Sequence, residues 1–168
     1  MLVRQRFGNE QNFLQKINPD TRNYFGAHTR TAVMGDYPTL NDIDNAYGKG
    51  FSVEWLIPLI DVLSLETTAN NPKERQQLEL ARLIATEYRH FKITELLLFF
   101  YRFKTGRYGR FYGSVDPMVI ACALRDFAAE RADLINTYTQ EERERQREAD
   151  LTDCISREEW LKIKQQSV

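Results

Sequence analysis

From Thr39 onward, apolar residues recur three and four positions apart rather than two, the spacing that lines one face of an α-helix. Trp55, Leu56, Leu59, Ile60 and Leu63 form such a face and predict a helix from Val53 to about Leu65, with Ser52 as its N-cap and Pro58 tolerated near the first turn. Before it, Thr39 caps a shorter helix through about Ala46, and "GKG" at 48 to 50 breaks the chain. Asn71 and Pro72 supply an N-cap and first helical position for a helix that carries Leu78, Ala81, Ile84, Ala85 and Tyr88 to about His90. The next stretch, Ile93 to Lys104, is apolar on nearly every side, with Leu96, Leu97, Leu98, Phe99, Phe100, Tyr101 and Phe103. A helix of that kind in a chain without membrane spans is the central, buried one, and Gly106 is placed to give it a left-handed C-cap.

Asp116 and Pro117 repeat the capping signature, opening a helix whose Val119, Ile120, Ala123, Leu124, Phe127 and Leu134 make an apolar stripe. It runs as far as Asp150, and its later part, "TQEERERQREAD", is charged on every face. Ser156 and Glu159 form a capping box before Trp160 and Ile163. Residues 1 to 38 are the least regular: Phe13, Leu14 and Ile17 offer a short helix, but "NPDTRNYFGAHTRTAVMGDYP" is rich in turn formers. These elements predict an all-α fold, a single compact domain of about five to six helices. Residues 1–38 form an irregular N-terminal arm, 39–150 the helical domain and 151–168 a C-terminal helix.

Composition agrees with one ordinary globular core: 168 residues, 42% hydrophobic and 28% charged. A net charge of −1 leaves no overall field to draw the molecule onto nucleic acid or an acidic membrane, so any such contact must come from a local patch. The two cysteines, Cys122 and Cys154, are too few for a disulfide framework, which favours a reducing compartment. The N-terminus has no stretch of signal-peptide character and the longest apolar run, Leu96 to Tyr101, is too short for a bilayer. The expected location is the cytoplasm, with no membrane partner.

Several chemistries can be set aside. Glu87 and His90 form an E-x-x-H, but a di-iron bundle needs a second copy and further glutamates, and His28 is the only other histidine. No phosphate-binding G-x-x-x-x-G-K-[ST] is present. Cys122 lies beside Ile120 and Ala123 with no histidine near it in sequence, the setting of a small buried core residue rather than a nucleophile. The carboxylate pairs Asp42 with Asp44 and Asp61 with Glu66 read as solvated helix residues. The expectation is a non-enzymatic protein with no cofactor and no metal site.

One window stands out. From Lys92 to Gly113 the chain holds Lys92, Arg102, Lys104, Arg107 and Arg110 against Glu95 as its one acid, interleaved with Phe103, Tyr108, Phe111 and Tyr112. Cations that pair with phosphates thus alternate with rings that stack on bases, so Lys104, Arg107, Tyr108, Arg110, Phe111 and Tyr112 are the candidate residues for binding nucleic acid or a partner. The strand-borne aromatic motif of RNA-recognition domains does not fit, because Thr105 interrupts it and both flanks are helical. A structural reading also exists, in which the glycines let the chain turn and the rings cover the core.

The run "ITELLLFFYRFKTGRYGRFYGSVDPMVIACALRDFAAER", about Lys92 to Arg131, resembles a module of small phage and mobile-element proteins. There a helix entered at a T-E pair leads to F-x-x-G-x-Y-G-x-F-Y-G, and a second helix ends in an E-R pair. Some comparable proteins are regarded as replication-accessory or helicase-loader-like factors. The resemblance implies signature positions at Arg107, Tyr108, Arg110, Phe111, Tyr112 and Asp116, and a replicative helicase among the candidate protein partners. Without a nucleotide-binding loop, such a factor would act without ATP. The expectation is therefore an accessory factor of phage or mobile-element DNA replication that contacts a nucleoprotein partner through the helix connection. The alternative is an interaction or assembly protein with no nucleic-acid contact, docking through the charged helix Thr139 to Asp150.

Overall fold

The computed structural model describes residues 3–63, 73–109 and 116–153. Those residues are built from helices and contain no β-strand, only an isolated bridge between Thr39 and Lys92. Helices α1 (Val3–Phe7), α2 (Glu10–Lys16), α3 (Arg22–Ala27) and α4 (Thr29–Met34) come first, with a 3₁₀ turn at Pro19–Thr21. Then follow α5 (Leu40–Tyr47), α6 (Phe51–Asp61), α7 (Lys73–Glu87), α8 (Ile93–Lys104) and α9 (Pro117–Asp153). The all-α expectation holds, and α5 to α9 are the five helices that the apolar spacing located within the described residues. The C-terminal helix at Ser156 and the Asn71–Pro72 cap lie outside them.

α8 is the centre. Ile93 through Phe100 and Phe103 are all buried, and its neighbours enclose it: α3 most extensively, α4 beside it, and α9 along another side. Phe127 of α9 packs on Phe99 with ring centroids 5.6 Å apart. α3 can come close because Gly26 has no side chain: a Cβ there would overlap the ring of Tyr101. α6 and α7 pack together, and α5 packs on α6.

The N-terminal segment corrects the expectation of an irregular arm. Its turn formers act as helix caps: Asn9 Oδ1 accepts from the Asn12 N–H at 2.9 Å and Asn18 Oδ1 from the Asp20 N–H at 3.0 Å. Helices of five to seven residues are too short to stand alone or to show a period. They persist because distant side chains hold them. Trp55 Nε1 donates to Ile17 O at 2.9 Å, Thr94 Oγ1 to Ala32 O at 2.7 Å, and Lys92 Nζ to Val33 O at 2.9 Å and Gly35 O at 2.8 Å. Phe7, Phe13, Ile17, Phe25 and Val33 are buried in the same core as α8.

Three local expectations also change. α6 starts at Phe51 with Gly50 at φ 94° before it, so Ser52 is not its cap. Ser52 is buried instead, its N–H and Oγ both donating to the Asp44 carboxylate at 2.7 and 2.8 Å. Pro58 lies inside α6 rather than near its first turn, on an exposed position where the missing hydrogen bond is least costly. Cys122, expected in the core, is exposed, because α9 turns Ile120, Ala123, Leu124 and Phe127 inward and the intervening positions out.

Candidate functional site

The helix connection begins where α8 ends. Gly106 has φ 79°, as a left-handed C-cap requires, and two bonds close the helix: Gly106 N–H to Phe103 O and Arg107 N–H to Arg102 O, both 3.1 Å. The same closure sends Arg107 and Tyr108 back across the end of α8 toward α9. Gly109, at φ 125°, follows them.

Glu130 of α9 meets them there. Its Oε1 faces the Arg102 guanidinium at 3.0 Å and bonds the Arg107 guanidinium, while its Oε2 accepts from the Tyr108 hydroxyl at 3.0 Å. The Arg102 side chain is only 13% exposed, against 55% for Arg107. The Tyr108 ring is partly buried against Phe99, its centroid 5.8 Å away. Burial pushes the Tyr108 hydroxyl well above the ordinary tyrosine range, helped by the negative Glu130 beside it. The bond and charge of Glu130 likewise raise Arg107 further.

The adjacent residue makes the reciprocal pair. Arg131 Nε lies 2.8 Å from Glu95 Oε1, and Glu95 is fully buried. The other Glu95 oxygen accepts the Lys92 N–H at 2.8 Å and so caps α8, while the Arg131 guanidinium sits 4.6 Å from the centroid of Phe91. The T-E and E-R pairs of the sequence module are therefore parts of one clasp: Thr94 ties α8 to α4, Glu95 and Arg131 join the start of α8 to α9, and Glu130 joins its end to α9.

This arrangement redistributes the basic window. Lys92 turns inward to the carbonyls of Val33 and Gly35, and Arg102 and Arg107 share Glu130. Lys104 is exposed in the last turn of α8, without an ion pair among the described residues. Arg110, Phe111 and Tyr112 lie outside the described residues. Asp116 caps α9, accepting the Met118 N–H at 2.8 Å. Glu130 itself was not among the sequence-derived site residues; its signal was the E-R pair, whose partner could be found only by knowing that α9 crosses the end of α8.

Residues 70–167 match the model of a family of unknown function, DUF6633. The chain belongs to that family. The DUF6633 match spans α7, α8, the connection and α9, so Thr94, Glu95, Glu130 and Arg131 fall inside it, whereas α1 to α6, with the α4 end of the Thr94 tie, lie outside. No curated protein and no solved structure matches the chain. The DUF6633 segment does not complete its own core: α3 and α4 cover α8, and Arg30 of α4 holds α9 through Glu141 at 2.7 Å and Glu142 at 2.6 Å, with Tyr138 beneath its guanidinium at 5.2 Å. Beyond Glu142 every described position of α9 whose side chain is placed is exposed.

Among the described residues no group of three histidine, cysteine or acidic side chains could hold a metal ion. His90 is exposed, edge-on to Phe91, and His28 stacks on Tyr24 with ring centroids 4.3 Å apart. No described helix is long and apolar enough to cross a membrane.

Proposed function

We propose that this protein is a non-enzymatic accessory factor of phage or mobile-element DNA replication that works by holding a protein partner, with no direct nucleic-acid contact through Arg102, Arg107 or Tyr108. The phage and replication setting rests on the resemblance of residues 92–131 to that module. The choice of a protein partner rests on one observation, that Glu130 engages Arg102, Arg107 and Tyr108 together. A phosphate would have to displace a carboxylate already placed between two cations, and a base would have to stack on a ring that already packs against Phe99. A protein surface makes no such demand, because it can read the exposed Lys104 and the outer side of Arg107 with the ion pairs intact.

The test is a paired titration. Labelled single- and double-stranded DNA at low salt should show no binding, while the host's replicative helicase should bind the full chain and lose affinity when Lys104 and Arg107 are both changed to Glu. Binding of DNA with a salt slope that falls when Arg107 and Arg110 are changed to Ala would replace this reading with direct phosphate contact. Absence of both helicase and DNA binding would remove the replication setting.

A further inference from the structure

We propose that the cleft between α7 and the start of α9 receives the C-terminal segment of a second copy of this chain, with Trp160 as the anchor. This inference stands apart from the partner-binding reading of the α8–α9 connection. The cleft has a volume of about 330 Å³ and is lined by Gln76, Glu79, Leu80, Leu83, Asp116 and Met118, among others. That is the size of the smaller sites that take a large apolar group, roughly 300–1,000 Å³. Leu83 is 42% exposed and Met118 66%, so two large apolar side chains from different helices face solvent across one hollow. Two such side chains meeting at one hollow give an apolar group a surface to pack against. Among the described residues its rim carries Glu79 and Asp116 and no cation, so an occupant that is apolar with a positive flank suits it.

Residues 160–168 have that composition: Trp160 and Ile163 are spaced for one helix face, and Lys162 and Lys164 flank Ile163, whereas the acids Glu158 and Glu159 lie on the other side of Trp160. They cannot serve their own cleft. α9 is 37 residues long, which at 1.5 Å per residue separates its ends by about 55 Å. The seven residues from Asp153 to Trp160 span at most about 25 Å even when fully extended. A tryptophan at that position reaches a cleft of this kind only on another molecule. Two copies that exchange their C-terminal segments fill both clefts through one self-complementary, twofold arrangement.

Light scattering and sedimentation of the full chain across the micromolar range should show a dimer. Trp160→Ala and Met118→Glu should each weaken its dissociation constant by about 30-fold or more, the loss expected when an anchoring side chain is removed from a pocket. Met118 is exposed in the first turn of α9, where a new carboxylate is favourable, so Met118→Glu probes the cleft without touching the core. The native thiols give a second readout, since Cys122 is exposed one turn beyond Met118 and Cys154 precedes the anchoring segment. A short thiol-specific cross-linker should join Cys122 of one copy to Cys154 of the other, seen as mixed-mass species when isotope-labelled and unlabelled chains are combined. A chain that stays monomeric, a dimer unaffected by both variants, or a Cys122–Cys154 cross-link confined to single chains would overturn the proposal.

Discussion

Changing Glu130 to Gln removes one charge at the point where three groups from α8 and its connection converge, and the structure gives the scale of the effect. Arg102 is the main contributor, because its side chain is nearly buried and would be left without a counter-ion. Breaking a buried pair from one side costs about 3–5 kcal/mol when both charges are fully enclosed. Glu130 keeps 22% exposure, which lowers that figure, and the exposed Arg107 adds only about 0.2–1 kcal/mol. The Tyr108 hydroxyl loses a charged acceptor but can still bond the amide oxygen, so its share is about 1 kcal/mol or less. These losses are not additive, and a total of about 2–4 kcal/mol is expected. For a chain of 168 residues this corresponds to a fall in Tm of roughly 4–16 °C. Urea denaturation at neutral pH measures it, with Asp133→Asn, an exposed carboxylate further along α9, as a control expected within about 0.5 kcal/mol of the parent. Adding Arg102→Met to Glu130→Gln should recover about 1–2 kcal/mol, because the stranded charge is then gone. If Glu130→Gln alone stays within about 0.5 kcal/mol of the parent, the clasp does not hold α9 to α8.

Phe100 is fully buried, so Phe100→Ala should cost about 3–5 kcal/mol by chemical denaturation, and a variant melting within a degree or two of the parent would disprove the central place of α8. Gly26→Ala would raise helix propensity by about 1 kcal/mol in isolation, yet it should destabilise by about 1–3 kcal/mol because its Cβ meets the Tyr101 ring. In a Tyr101→Ala background the sign should reverse, and an unchanged sign would show that α3 does not approach α8 at this point. Asp61 bonds Lys73 at 2.6 Å and Gln77 at 2.8 Å across the α6–α7 connection, and those bonds hold its carboxyl below the ordinary aspartate range. A depressed folded pKa means its contribution is complete above the unfolded value near 4 and is lost as pH falls through the folded value, so Asp61→Asn should flatten stability against pH below about 4 and nowhere else.

The sequence by itself determined the helical class and the long elements, since a period of three to four persists wherever a helix has enough turns to show a face. Local chemistry also placed what depends on neighbours in the chain. Thr39 caps α5, Gly106 has a positive φ because a helix must end there, and Leu96, Phe99, Phe100 and Phe103 are buried because α8 is apolar on nearly every side. Of the first four helices only α2 was legible, as the short helix that Phe13, Leu14 and Ile17 offer; α1, α3 and α4 were not, because segments of five to six residues are stabilised by contacts such as Thr94 to Ala32 that no local pattern encodes. The site shows the same division. Composition marked Arg107 and Tyr108 as a basic and aromatic pair, but their engagement depends on Glu130, 22 positions beyond Tyr108. Charge can be counted along a chain, whereas the counter-ion that satisfies it is chosen by how the helices cross, and only the tertiary structure decides that.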